Sequence, residues 1–107
     1  MATNCYTIKG GPGRWDLSMA ILNPGSTIRM RLWREMPAWE DEVELIITGI
    51  RLHDECYPNK RMRFLLTGYS NSAFLSEGTC DRTYFEADYR LNGNLGTLKV
   101  VSVDPTR

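Results

Sequence analysis

Residues 14–34 read RWDLSMAILNPGSTIRMRLWR, and the way this stretch pairs sets the fold class. Trp15, Leu17, Met19 and Ile21 alternate with Asp16, Ser18 and Ala20, the period-two pattern of a half-buried strand. Asn23-Pro24-Gly25-Ser26 follows as a turn, because Pro presets φ at the second turn position and Gly accepts a positive φ at the third. From Thr27 to Arg34 the alternation resumes, with Ile28, Met30 and Leu32 against Arg29, Arg31 and Trp33. Setting Leu22 opposite Thr27 brings Ile21 to Ile28, Met19 to Met30 and Leu17 to Leu32, so one register pairs apolar with apolar. The expectation is a β-hairpin that places Trp15 in the core.

The same period continues on both sides of this hairpin. Thr3–Lys9 suits a first strand, ended by the turn-forming Gly10-Gly11-Pro12-Gly13. Val43–His53 is apolar on both faces, as a central strand should be, and Gly49 marks a bulge or bend within it. Arg61–Gly68 returns after the turn Tyr57-Pro58-Asn59-Lys60. Asn92-Gly93 joins Arg82–Leu91 to Leu95–Val103 and sets Phe85 opposite Val100, Glu86 opposite Lys99 and Ala87 opposite Leu98. Tyr69–Asp81, rich in Ser, Asn and Gly, reads as a loop with a short piece around Ala73-Phe74-Leu75, while Pro37–Glu42 suits one helical turn. The fold expected is one all-β domain over residues 1–107. It is an antiparallel meander of seven or eight strands, a barrel or a sandwich, with at most one short helix near residues 37–42.

Composition bounds the function. The chain has 107 residues, one domain's worth, with 42% hydrophobic and 24% charged residues, as soluble globular proteins have. Thirteen basic and thirteen acidic side chains cancel, which argues against a nucleic-acid partner, because phosphate neutralisation needs a basic surplus. Zero net charge also removes self-repulsion and favours a homo-oligomer. No basic segment followed by an apolar run opens the chain and no apolar run approaches a membrane span, so neither a signal peptide nor membrane insertion is expected. Cys5, Cys56 and Cys80 are odd in number and widely spaced, which reads as reduced thiols in a cytoplasm.

Among candidate functional residues, Arg29, Arg31 and Trp33 share the face opposite the apolar one. Guanidinium forks beside an indole suit bidentate charge recognition plus stacking, hence a small anionic or aromatic ligand, and Arg61 and Arg63 extend the stripe if their strand lies nearby. Trp39, in an acidic segment, is the candidate interface residue. His53-Asp54-Glu55-Cys56 with the distant Cys80 lacks the two close ligand pairs of a structural zinc site, and its carboxylates raise rather than lower a thiol pKa. No metal, cofactor or catalytic residue is therefore assigned. The reading is a non-enzymatic binding module, with a protein-interaction or homo-oligomeric module second and a small barrel enzyme with a cavity around His53 third. Gly13-Arg14-Trp15 is similar to the G-x-W opening of lipocalins, in a chain shorter than theirs. Asp16-Leu17-Ser18 is similar to part of the PilZ cyclic-dinucleotide signature, with Ile21 where that pattern has Gly. Each likeness covers a few residues and assigns no family.

Overall fold

Six strands, each hydrogen-bonded to its neighbours in sequence, close into an antiparallel barrel. The computed structural model describes residues 5–53, 63–72, 75, 82–91 and 93–104. The elements are β1 (Cys5–Gly10), α1 (Arg14–Leu22), β2 (Ser26–Arg34), β3 (Trp39–His53), β4 (Arg63–Ser70), β5 (Thr83–Arg90) and β6 (Leu95–Val103). Closure is made by β1, which pairs with β2 along one edge and with Gly96–Lys99 of β6 along the other. The architecture is thus a barrel and not a sandwich, with six strands among the described residues where seven or eight were expected.

Three bulges bend the strands enough to close the sheet. The extra residues are Lys9 in β1, Thr48 in β3 and Val101 in β6, each opposite a break in the partner register. The β3 bulge falls beside Gly49, the residue whose place in an apolar run predicts it. The β5–β6 register is also the expected one, with Phe85, Glu86 and Ala87 opposite Val100, Lys99 and Leu98. Gly93 takes φ +94° in the connecting turn, and the Asn94 N–H donates to Leu91 O across it. Two glycines permit contacts that no other residue would. A Cβ on Gly68 would stand 2.0 Å from Ile46 O, and one on Gly96 2.0 Å from Asp88 O.

Inward-facing residues of all six strands fill the barrel. Tyr6, Ile8, Ile28, Met30, Leu32, Val43, Leu45, Ile47, Phe64, Leu66, Phe85, Ala87, Tyr89 and Leu98 are buried, together with Leu17 and Ala20 of α1. A barrel of this size leaves room for side chains and little else. The buried Tyr89 hydroxyl donates toward Pro12 O (2.9 Å) and lies 2.8 Å from Asn94 Oδ1, tying the segment before α1 to the β5–β6 turn. Burial pushes the Tyr89 phenol up to about 12.

Two expected elements are corrected. Arg14–Leu22 is a helix of nine residues, not the first arm of a hairpin. Both edges of β2 are already taken, by β1 and by the nine-residue register with Trp39–Ile47 of β3, so no edge remains for a strand at 14–22. The segment also has helical credentials: Leu17 and Ala20 are spaced for one helical face, and Asp16 sits in the first turn. Asn23 closes the end, its N–H and its Nδ2 both donating to Met19 O at 2.9 and 3.1 Å. Trp15 consequently lies outside the core, 72% exposed, which also ends the likeness to the lipocalin opening. The second correction is at residues 37–42. A turn over residues 35–38 leads directly into β3, and Glu40, Asp41 and Glu42 pair with Trp33, Leu32 and Arg31. Alternating acids opposite alternating bases stabilise a strand there, a period that hydrophobicity alone does not reveal.

Candidate functional site

Arg29, Arg31 and Trp33 do share the outer face of β2, and the neighbouring strands supply their partners. Arg29 donates to Glu42 Oε1 and Glu44 Oε1, both at 3.2 Å. Arg31 lies 3.7 Å from Glu40, which also holds Lys9 at 3.2 Å, and the Lys9 ammonium stands 5.0 Å above the Trp33 ring. The hydrogen bond to Glu42, then the charge of Glu44, raises the Arg29 pKa above its ordinary value. Three cations and three carboxylates thus form a neutral lattice across β1–β3. An anion approaching Arg29 competes with two carboxylates already in place.

Trp39 is half-buried at the other end of the hairpin, edge-on to Tyr6 with ring centroids 5.6 Å apart. The Arg34 guanidinium lies over both rings, at 5.6 Å from Tyr6 and 6.0 Å from Trp39, and its Nε donates to Pro37 O at 3.0 Å. Trp39 therefore packs against the core rather than standing in solvent. Arg63 is half-buried and engages both oxygens of Asp88, with Nε–Oδ1 at 2.8 Å and Nη2 on Oδ2. It stands on β4, beyond β3 from Arg29, and does not extend the β2 stripe. His53 ends β3 with its backbone in register with Arg63. Its side chain lies outside the described residues, as do Asp54, Glu55, Cys56, Arg61, Cys80 and Asp81. Cys5 is a free, exposed thiol.

Two surfaces escaped sequence reasoning. The first is the solvent side of α1. Leu17 and Ala20 face the barrel at 0% and 3% exposure, whereas Trp15 and Leu22 stand on the opposite side at 72% and 73%, with Ile21 between. Arg14, Asp16 and Ser18 are exposed beside them, so the solvent side sets large apolar side chains among polar ones. The signals available were the Leu17–Ala20 spacing and the stop residues Asn23-Pro24-Gly25. The second surface is a groove of about 570 Å³ across the outer face of β3–β6, lined chiefly by Arg51, Leu65, Thr67, Glu86, Asp88 and Lys99. Nothing local in the sequence announces it, since its walls come from different strands.

Fold and surfaces together define, among the described residues, a six-stranded meander barrel filled by side chains, with a short helix joining its first two strands. In comparisons with family models, curated proteins and solved structures, the chain matches none of them. Among the described residues, no helix is long and apolar enough to cross a membrane.

Proposed function

We propose that this chain is a non-enzymatic interaction module that pairs with a second copy of itself through α1. The observation that carries the reading is the solvent side of that helix, where Trp15 and Leu22 are about three-quarters exposed. Large exposed apolar patches mark contact surfaces, and tryptophan is the residue most enriched at interface centres. Seven residues separate Trp15 from Leu22, about 10 Å along the axis, so a two-fold crossing of two α1 helices sets each Trp15 on the partner's Leu22. Zero net charge leaves little long-range repulsion between copies. The barrel interior, filled by apolar side chains, favours a role that needs no internal cavity. A cytoplasmic setting belongs to the same reading, supported by the exposed free thiol of Cys5.

The patch covers on the order of 300–400 Å² per copy, below the roughly 800 Å² of a stable interface, so the dimer is weak and concentration-dependent. Sedimentation equilibrium from low micromolar to millimolar protein should show monomer passing to dimer. Trp15→Gln combined with Leu22→Gln should stay monomeric with an unchanged melting temperature, since neither side chain supports the core. A wild-type chain that remains monomeric throughout, or a double variant that dimerises as well, would overturn the reading.

A further inference from the structure

The groove on the outer face of the barrel combines apolar surface with three charged side chains, Arg51, Glu86 and Lys99, that have no ion-pair partner among the described residues. Strand registers place two rows of side chains across it. One runs Gly49, Thr67, Glu86, Lys99, and the next runs Arg51, Leu65, Asp88, Thr97. Gly49 contributes no side chain, and the Thr67 hydroxyl fills its place, 2.6 Å from where a Cβ would stand. Leu65 is half-buried and supplies the apolar floor next to Thr67. Asp88 is committed to Arg63 through both carboxylate oxygens.

Glu86 and Lys99 behave differently. They are direct cross-strand partners, which sets their Cβ atoms about 5 Å apart. Opposite charges so placed normally pair, yet no ion pair joins them, and neither engages another side chain among the described residues. A carboxylate and an ammonium thus stand side by side next to an apolar floor, each with its hydrogen-bonding capacity unspent among the described residues. Arg51 adds a guanidinium without an ion-pair partner among the described residues, on the opposite wall.

We propose that this groove binds a small zwitterion, a molecule with an ammonium and a carboxylate on one carbon and an apolar side chain. Its ammonium lies on Glu86, its carboxylate on Lys99, and its side chain on Leu65. The two charges of such a ligand are spaced to bridge neighbouring strands that their own side chains leave unbridged. The volume of about 570 Å³ lies within the range of small-molecule sites. An inorganic anion leaves Glu86 unanswered, and a simple amine leaves Lys99 unanswered. The site shares no residue with the α1 patch, and its test is independent of the oligomeric state.

The experiment is a titration of the full chain with L-leucine, followed by backbone amide shifts, with 4-methylpentanoate and isopentylamine as single-charge comparisons. An open groove with one bridged ion pair should bind leucine with a dissociation constant on the order of 1 mM, shifting the amides of Leu65, Thr67, Glu86 and Lys99. Glu86→Gln and Lys99→Met should each weaken binding at least about tenfold, and the charge swap Glu86→Lys with Lys99→Glu should restore it. Arg29→Ala with Arg31→Ala should leave it unchanged. No shifts up to about ten times that concentration overturns the proposal. So does binding of either single-charge compound as tight as leucine, or single variants that bind like the wild type.

Discussion

Replacing Thr83 by Val should make this protein more stable, against the usual direction of core substitutions. Thr83 is fully buried on the inner face of β5, and its Oγ1 has no hydrogen-bond partner among the described residues. Ser70 stands opposite in register but spends its one proton on Glu44 O at 2.9 Å and accepts the Ser72 N–H at 3.1 Å. A buried hydroxyl left unpaired costs about 1–3 kcal/mol. Valine keeps the branched shape and removes that cost, while its slightly larger methyl returns some of the gain as crowding, up to about 1 kcal/mol. The expected net gain is about 1 kcal/mol. With an unfolding entropy of about 0.2 kcal/mol/K for a chain of this length, the melting temperature should rise by about 4–5 °C. Thermal and urea unfolding followed by circular dichroism would read this, with the urea midpoint raised and the slope unchanged. Ser70→Ala supplies the contrast in the same layer. It removes the hydroxyl that joins Glu44 O to the Ser72 N–H and should cost about 1–2 kcal/mol. A Thr83→Val protein that melts below the wild type would mean that the hydroxyl makes a useful bond and is not an unpaired buried group.

Three further outcomes follow from the geometry. Gly96→Ala and Gly68→Ala set a Cβ 2.0 Å from a backbone oxygen and should unfold the chain or cost more than the roughly 1–3 kcal/mol of ordinary overpacking. Gly10→Ala, with nothing within 4 Å, should leave the melt unchanged. The Tyr89 phenol should ionise near its raised value of about 12 in an ultraviolet titration, and Tyr89→Phe should remove that step. Because the unfolded chain releases that proton near the ordinary value of about 10, Tyr89 contributes stability below about pH 10 that is lost as the pH rises through 12. Tyr89→Phe should remove that part of the alkaline loss. Arg63→Met leaves a half-buried Asp88 carboxylate without its fork and should cost about 1–3 kcal/mol. Arg29→Met, at a position 67% exposed, should not move the melting temperature.

Residue order alone dictates the features that short-range chemistry controls. Asn92-Gly93 calls for a tight turn, and a tight turn sets the register of the strands it joins, so two residues are enough to pair Phe85, Glu86 and Ala87 with Val100, Lys99 and Leu98. Alternation likewise marks β2 and most of β3, and a glycine in an apolar run marks the bulge at Thr48. Arg29, Arg31 and Trp33 fall on one outward face because a strand's period assigns faces. Their carboxylate partners are not legible in the same way, because they depend on which strand lies alongside.

The remaining features come from contacts made across the whole chain. Residues 14–22 satisfy a strand's period and a helix's spacing at once, and the choice falls to helix because both edges of β2 are occupied from elsewhere in the chain. That choice turns Trp15 from an expected core residue into a large apolar side chain facing solvent on α1. The groove on β3–β6 exists because three separate registers bring Arg51, Thr67, Glu86 and Lys99 together, and no short window of sequence contains more than one of its walls. Turns and periods act over a few residues and can be read directly. Competition for strand edges and closure of the barrel act over the whole chain, and are settled only when every strand has found its neighbours.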